Sequence, residues 1–477
     1  MFIRGYLIEA QSLLRLASPL ILTQLAQVAI STTDIVMMGL LGEMSLAAGG
    51  LAFFIFNLLR TMGFGLVVGL SNMVAEAGGA GRDSALADCL FAGLAVSTTA
   101  GVCAALIMLF GPDGLIFLGQ DPNIVAQTAE YLVWMAPGIL PAFWFYSYRG
   151  VSVGLRKAGP LLWITLVSIG VNAGLNYILI EGLFGLPKLG LAGIAAASSL
   201  VFLLSFIALA VLTHSQIDFG KLRIDMVRVW QNARDLLKIG LPTSASYGSE
   251  AGFFAVIALM MGTLGQTALA AHTLVNQMVY IVFMVAVGLS HAASVGISEA
   301  VGQGTSSQRA AQKNNQINSG TTSGQRSAGE IIRRVGRTAF FLGGIIMSII
   351  AVLYFLAPER LVALVTLKSG QQPVEVITLA SKLLLIAGVL QVFDALQNIA
   401  IGTLRGLGQA SRGFWITVAG YWFIGLPAAW FLAIDQHQGA SGIWIGLLVG
   451  VAATACMMIF AFEYFSRTRH SGVLQSI

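Results

Sequence analysis

Charged residues are scarce in this chain of 477 residues. Asp, Glu, Lys and Arg together make up 10% of it, whereas soluble domains carry about 25%. Hydrophobic residues make up 57% and the mean hydropathy is +0.83, which is more apolar surface than a water-soluble chain of this length can bury. The composition therefore excludes an ordinary soluble fold and indicates that lipid surrounds most of the chain.

Cysteine and the motifs of common enzyme classes are also missing. Cys89, Cys103 and Cys456 each stand alone in an apolar run, which is typical of small buried hydrophobic residues and predicts neither a disulfide framework nor a zinc site. A P-loop and a nucleophile elbow are absent as well, so we expect no enzymatic activity and no cofactor. The first apolar run contains Asp34 and is followed by no cleavage site, so we interpret it as a retained helix and not a signal peptide.

Long apolar runs are what the sequence does contain. Runs of about 20 residues mark helices that span a bilayer, and twelve of them predict an all-α polytopic membrane protein. The predicted helices cover 14–40, 51–76, 89–111, 126–150, 160–181, 191–213, 240–262, 272–298, 338–357, 379–403, 413–433 and 442–463.

Two polar stretches interrupt the hydropathy pattern. Residues 214–239 are charged and amphipathic, and they predict a linker at the cytoplasmic membrane surface. Residues 305–327 are rich in Ser, Gln and Asn and predict a disordered cytoplasmic insertion. The predicted organisation is therefore a six-helix lobe over 1–213, the linker, a six-helix lobe over 240–465 that carries the insertion, and a cytoplasmic tail over 466–477.

Lys and Arg predict the orientation. With a cytoplasmic N-terminus, nineteen of them fall in inside segments and only Lys188, Arg360 and Lys368 fall outside, which is a strong positive-inside bias. The bias also accounts for the net charge of +5 without a nucleic-acid partner. Both termini are thus expected in the cytoplasm.

An internal repeat relates the two halves. The segments 37–48 (MMGLLGEMSLAA) and 260–271 (MMGTLGQTALAA) match at eight of twelve positions without a gap, at an offset of 223 residues, and the WIT segments at 163–165 and 415–417 match at an offset of 252. The offset grows across the predicted insertion. Because each half has six helices, both enter the membrane in the same direction, so a pseudo-twofold axis along the membrane normal and a central cavity are expected.

Three acids lie at membrane depth, where ionisable side chains are costly and suggest function. They are Asp34 in helix 1, Glu250 in helix 7 and Asp394 in helix 10. Each shares a helix face with other polar residues at steps of three or four, and such faces must line a cavity or pair across helices. The supporting residues are Gln24, Gln27 and Ser31 on helix 1, Asn172 and Asn176 on helix 5, Tyr247 on helix 7, and Gln391 and Asn398 on helix 10.

These carboxylates admit a structural and a functional interpretation. They can serve as hydrogen-bond partners between helices, or they can hold a proton or a sodium ion, for which carboxylate, amide and hydroxyl oxygens are suitable ligands. Glu250 and Asp394 are the candidate sodium ligands, and Asn172 and Asn176 could hydrogen-bond Asp34. The repeat places Ile257 opposite Asp34 and Gln27 opposite Glu250, so the halves are not equivalent. Arg60 in helix 2 is predicted either to pair with a carboxylate or to extend toward the membrane surface.

Four segments carry a resemblance to a known family. They are TTDIVMMGLLG around Asp34, VNAGLNYILIEGLFGLPKLGLAG from Val171, SEAGFFAVIALMMGTLG around Glu250 and LQVFDALQNIAIGTLRGLG around Asp394. With them the chain resembles the MATE (multidrug and toxic compound extrusion) family, in its NorM-like bacterial branch, over about residues 10–465. Arg60 departs from that branch and is similar to the DinF-like one, and the insertion after Gly304 is a second departure.

The resemblance implies an antiporter in a bacterial inner membrane. It implies efflux of organic cations and amphipathic drugs, hence antibiotic resistance, in exchange for sodium ions or protons, with Asp34, Glu250 and Asp394 as the coupling acids. We expect a monomer in the bilayer. Two alternatives remain. A lipid-linked oligosaccharide flippase would need a basic cavity, and a major-facilitator-type nutrient symporter would need a Gly-x-x-x-Asp-Arg loop after helix 2, where this chain has AEAGGAGRDSALADC.

Overall fold

The computed structural model of the chain describes residues 2–82, 85–117, 119–217, 224–313, 320–366 and 373–468. It forms an all-helical membrane protein, and no strand occurs within these ranges. Twelve long helices correspond one to one with the twelve predicted from hydropathy. We label them α1 Phe2–Leu40, α2 Glu43–Gly79, α3 Ala85–Phe110, α4 Pro122–Gly154, α5 Gly159–Glu181, α6 Leu191–Gln216, α7 Met226–Thr263, α8 Gln266–Lys313, α9 Gly320–Leu356, α10 Val374–Gly406, α11 Ala410–Asp435 and α12 Gly439–Thr468.

Several helices continue beyond the apolar runs that predicted them. Helix α1 begins at Phe2, twelve residues before the predicted start. Residues 226–239 of the predicted linker form the first turns of α7. Hydropathy detects the part of a helix that contacts lipid. Backbone hydrogen bonding does not depend on hydropathy, so a helix can continue into the polar interface.

Helices extend into the predicted insertion at 305–327 from both of its ends. Helix α8 continues to Lys313 and α9 begins at Gly320. Residues 314–319 lie outside the described ranges, and so do residues 469–477 of the predicted tail.

Ten of the helices are apolar enough to be recognised as spans by length and composition, and α4 and α7 are the two that are not. Helix α4 carries Pro137 and Pro141 together with Arg149. Helix α7 carries the polar run TSASYGSE at 243–250. A helix that presents a polar face to a protein interior does not need to be apolar all round. This explains why α4 and α7 are less apolar than the other ten helices.

The helices form two compact units, 22–244 and 1–21 with 245–477. In the first unit, α4 packs against α2, α3 and α6. In the second, α10 packs against α8, α9 and α12, and these are the counterparts of α2, α3 and α6 under the repeat. A single helix therefore occupies the middle of each unit.

Glycines at equivalent positions allow the same close approach in both units. A Cβ on Gly154 would lie 2.7 Å from the carbonyl oxygen of Ser71, and one on Gly406 would lie 2.6 Å from that of Ser294. Gly154 and Gly406 are 252 residues apart, while Ser71 and Ser294 are 223 apart. These are the two offsets found in the sequence repeat, so the internal symmetry extends to backbone contacts.

The turns that follow α1 and α7 are also equivalent. Gly42 has φ +112° and Gly265, at the offset of 223, has φ +108°. A side chain is strongly disfavoured in this backbone conformation, so both halves need glycine at the same turn.

We expect Gly154→Val and Gly406→Val each to destabilise the protein. The added side chain has no space against the backbone of the neighbouring helix, and overpacking typically costs about 1–3 kcal/mol. Thermal unfolding of the purified protein in detergent measures the effect. Gly78→Ala is the control, because a Cβ there meets nothing within 4 Å. A melting temperature unchanged in both valine variants would contradict the close approach.

Candidate functional sites

Asp34 is the centre of a buried polar cluster in the first unit. Its side chain is 4% exposed. Asn176 of α5 donates from Nδ2 to Asp34 Oδ1 at 2.7 Å, and Ser198 of α6 donates from Oγ to Asp34 Oδ2 at 2.9 Å. Both carboxylate oxygens thus accept a hydrogen bond from a neutral group, and three helices meet at one acid.

Asn172 contacts this cluster one step further out. Its Nδ2 donates to Ser198 Oγ at 3.4 Å, and its Oδ1 accepts from Asn176 Nδ2 at 3.4 Å. The second polar atom of Asn176, its Oδ1, is buried and has no hydrogen-bond partner among the described residues. The cluster therefore keeps one acceptor available for a proton donor, a water molecule or a cation.

A cavity of about 60 Å³ opens beside Asp34. Since a water molecule needs about 10–15 Å³ of such space, the cavity has room for roughly four to six waters and is too small for a drug-sized molecule. Its walls combine the polar stripe of α1 with aromatic side chains. They include Gln27, Ser31, Asp34, Phe53, Phe56, Arg60, Phe145, Tyr146, Thr165, Ser168, Asn172, Ser198 and Phe202.

Arg60 lines the same cavity. It donates to the Tyr146 hydroxyl at 2.8 Å and to Asn57 Oδ1 at 2.7 Å. These two contacts are with neutral oxygens inside the protein, and they show neither the carboxylate pairing nor the extension to the membrane surface that the sequence offered as alternatives. The cavity thus presents a guanidinium on one wall and a carboxylate on another.

A second arginine lies inside the first unit. Arg149 on α4 is 4% exposed, and its guanidinium carbon lies 4.8 Å from the ring centroid of Phe64, within the range of a cation–π interaction. It also donates to Gln24 Oε1 at 3.3 Å. Gln24 therefore contacts an arginine, while Gln27 and Ser31, on the same helix, line the cavity.

Glu250 and Asp394 come together in the second unit. Their charges interact, and Asp394 is 5% exposed while Glu250 is partly buried. Asp394 Oδ1 is buried without a hydrogen-bond partner among the described residues. Two carboxylates whose charges repel each other in a buried site cannot both stay charged at low cost.

Tyr421 on α11 completes this second site. Its hydroxyl donates to Gln397 Oε1 at 2.7 Å, it lies within electrostatic range of Glu250 and Asp394, and its ring stacks on Phe253 with centroids 4.8 Å apart. It lies in the π-helical segment Ala419–Gly425. Wider turns of this kind are rare and often occur at functional sites.

Three supporting residues were predicted in the second unit, and two of them, Gln391 and Asn398, take part in hydrogen bonds between helices. Gln391 donates to the carbonyl of Val279 at 3.2 Å. The carbonyl of Asn398 accepts from Ser290 Oγ at 2.6 Å. Tyr247 is partly buried on α7, one turn before Glu250. Gln391 and Asn398 thus join α10 to α8, while Tyr247 shares a helix face with the acid.

The Asp34 cluster has an apolar counterpart in the second unit. The repeat places Ile257 opposite Asp34, and Ile424 and Ala428 opposite the two asparagines. Helices α6 and α12 align at an offset of 249, since Gly190 and Gly439 precede LAGI and ASGI with φ values of +55° and +56°, and this offset places Leu447 opposite Ser198. Ile257 and Leu447 are buried in the hydrophobic core of that unit. The same arrangement of helices thus encloses an acid and its hydrogen-bond donors in the first unit and packed apolar side chains in the second.

Ser198, Arg149, Gln397 and Tyr421 were missed by sequence reasoning. A serine in a membrane helix often bonds to its own backbone, so nothing in the sequence distinguishes Ser198 from its neighbours. Arg149 lies at the end of a predicted span, where a basic residue is ordinary. The adjacent polar pair at 397–398 was the one available signal for Gln397.

Twelve long helices in two related halves, with buried acids at membrane depth, are the features of a polytopic membrane transporter. The MatE family model matches residues 19–178, 242–314 and 319–431. The chain therefore belongs to the MatE family.

Its curated relatives cover nearly the whole chain. A probable multidrug resistance protein NorM of Bradyrhizobium diazoefficiens is 35% identical over 457 residues, which is 95% of this chain and 93% of that protein. One of Pseudomonas aeruginosa is 35% identical over 466 residues, 96% and 90% of the two chains.

Solved structures of distant relatives share the fold. The Vibrio cholerae MATE transporter VcmN in the bent form matches with a TM-score of 0.84 at 18% identity, over 98% of this chain and 99% of its own. The eukaryotic MATE transporter AtDTX14 matches with a TM-score of 0.82 at 20% identity, over 98% and 100%. The twelve-helix prediction is confirmed by this likeness.

We expect Ser198→Ala to destabilise the protein, because it removes a donor from a buried carboxylate. A hydrogen bond to a charged group contributes about 1.5–3 kcal/mol. Thermal unfolding in detergent measures the loss. Ser205→Ala is the matched control, since Ser205 lines the same cavity and bonds Ser168 at 3.0 Å. Equal melting temperatures for the two variants would show that the contact with Asp34 contributes nothing particular.

Proposed function

We propose that this protein exports amphipathic drugs, organic cations among them, in exchange for sodium ions or protons. The observation that carries the proposal is a pair of buried acidic sites, each with an unsatisfied oxygen. In the first unit it is Asn176 Oδ1 beside Asp34, and in the second it is Asp394 Oδ1 beside Glu250, with hydrogen-bond partners counted over the described residues. A buried carboxylate that is not fully compensated binds a cation or a proton strongly.

Asp34 is suited to exchange a proton. When ionised, it accepts hydrogen bonds from Asn176 and Ser198. When protonated, it becomes a donor and needs an acceptor, and a hydroxyl or an amide oxygen can serve as one. A change of protonation would therefore reverse at least one hydrogen bond between α1 and its neighbours. That gives the two conformations of the transporter different affinities for the proton, which is what coupling requires.

Glu250 and Asp394 are suited to a cation. Sodium prefers oxygen ligands, and the two carboxylates lie with the side-chain oxygens of Gln397 and Tyr421 nearby. The described residues bring together no group of three or more His, Cys, Asp or Glu that could hold a metal ion. Carboxylate, amide and phenol oxygens suit a monovalent ion that is bound and released in each cycle.

The drug and the coupling ion need no direct contact. If the ion-loaded protein favours the state that opens outward and the drug favours the state that opens inward, each drives the release of the other. Both NorM relatives carry multidrug resistance in their names. The positive-inside bias supports an inner membrane location with both termini in the cytoplasm.

We expect an imposed gradient to drive export of a fluorescent organic cation from proteoliposomes that contain the purified chain. A sodium gradient and a pH gradient are applied separately, with valinomycin and potassium to hold the membrane potential at zero. Export driven by one gradient identifies the coupling ion. If neither gradient moves the probe, the antiporter proposal fails.

Neutral substitutions of the acids test the two sites separately. Asp34→Asn, Glu250→Gln and Asp394→Asn keep the side-chain size but remove the ionisable group, so we expect each to lower the coupled rate at least tenfold. Glu43→Gln is the control, because Glu43 is an exposed acid at the start of α2. Transport at the control level in all three variants would mean that the acids serve only as hydrogen-bond partners between helices.

A further inference from the structure

An open apolar groove of about 490 Å³ runs along α9 in the second unit. It belongs to neither acidic site. We call it the α9 groove, and it is lined by Phe340, Phe341, Gly344, Ile345, Ser348, Ile349, Val352 and Leu396.

The groove follows one face of the helix. Phe341, Ile345, Ile349 and Val352 are 68%, 42%, 59% and 53% exposed, and they recur at steps of four, four and three, which places them on the same side of α9. Gly344 leaves a notch in the middle, because a Cβ there would meet nothing within 4 Å. From Phe340 to Val352 the helix rises roughly 18 Å.

Arginines stand at one end of the groove. Arg333 and Arg334 precede Phe340 and Phe341 by two turns, and Arg337 precedes Phe341 by one. Arg334 lies against the start of α1, since a Cβ on Gly5 would be 2.9 Å from its Nη1. The guanidinium groups are thus gathered where the apolar surface stops.

This end of the groove stays positive after its ion pairs are counted. Arg337 binds Glu463 through both Nε and Nη2 at 2.8 Å and is 47% exposed. Arg467 lies 3.7 Å from the same carboxylate. Arg333, Arg334, Arg337 and Arg467 lie near two acids, Glu463 and the exposed Glu330, so among these six residues the cations outnumber the acids by two.

We propose that the α9 groove binds one anionic phospholipid, with a phosphate at Arg334 and Arg337 and an acyl chain along Phe341 to Val352. Half of a bilayer's hydrocarbon core is about 15 Å thick, so a groove of roughly 18 Å accommodates one acyl chain within one leaflet. Arginine is well suited to phosphate because its planar group can donate two parallel hydrogen bonds. Arg334 would supply these bonds, whereas Arg337, whose Nε and Nη2 are bound to Glu463, would contribute its charge. With the proposed orientation, in which both termini are cytoplasmic, this lipid lies in the cytoplasmic leaflet. The binding site itself does not depend on that orientation.

The acyl chain of a zwitterionic lipid would fill the groove equally well, but its headgroup would be attracted less strongly by the arginines. A basic side chain near anionic lipid changes the affinity roughly fivefold. A selective site therefore predicts preference by headgroup at constant acyl chain, whereas ordinary boundary lipid predicts none.

The test is native mass spectrometry of the whole purified protein. The probe is an equimolar mixture of phosphatidylglycerol and phosphatidylcholine with identical acyl chains, added in detergent. We expect one phosphatidylglycerol to be retained at least fivefold more often than phosphatidylcholine. Arg334→Gln should reduce that ratio several-fold, and Gly344→Leu should reduce retention of both lipids because it fills the notch.

Two matched variants serve as controls. Arg360→Gln removes an exposed charge beyond the other end of α9, and Gly50→Leu adds the same side chain at an open, exposed position of α2. Neither should change lipid retention. Ser348→Leu provides a second way to fill the groove if Gly344→Leu does not fold.

Equal retention of the two lipids by the unmodified protein would overturn the proposal. The proposal would also fail if Arg334→Gln kept the parent's ratio of phosphatidylglycerol to phosphatidylcholine and a folded groove-filling variant kept the parent's amount of bound lipid. Because the readout is lipid binding and not transport, its failure is separate from failure of the proposed antiport.

Discussion

A polar group in hydrocarbon must find its partner inside the protein, because no water is there to supply one. This constraint governs the described structure of the chain. It makes every span a helix, and it forces the polar stripe of α1 against α5 and α6, where Asn176 and Ser198 satisfy Asp34. Where the partners are incomplete, as at Asp394, the same cost is the physical basis of the proposed affinity for a proton or an ion.

The two units share one helix arrangement although the residues buried inside them differ. The same helix pairings and the same close approaches at Gly154 and Gly406 occur in both units. Yet Asp34 and its donors in one unit correspond to Ile257 and other apolar residues in the other. Backbone packing at small residues does not depend on the side chains deeper in the bundle, so each copy could acquire a site of its own without changing the fold.

Arginine has three different environments in this chain. Arg60 lines the cavity beside Asp34, Arg149 lies over an aromatic ring, and Arg337 is held by Glu463 at the end of α9. The guanidinium group accepts all three because it is planar, remains charged and is weakly hydrated. The first unit therefore encloses two arginines as well as its acid.

The sequence by itself determined the number of helices, the two-fold repeat, the family and the three membrane acids. Hydropathy, duplication and the cost of a buried charge are all local along the chain, so they can be recognised without coordinates. The sequence also suggested Asn176 as a hydrogen-bond partner of Asp34, and the structure has that bond at 2.7 Å. Helix ends were extended by turns that hydropathy cannot detect.

Only the tertiary structure decided which polar groups meet. Ser198 reaches Asp34 across 164 positions of sequence, and Tyr421 reaches Gln397 from a π-helical turn. Both contacts depend on the rotation of one helix against another, which is set by packing over the whole interface and not by a periodicity within either helix. For that reason the acids could be predicted from the sequence, while most of the partners that give them their chemistry could not.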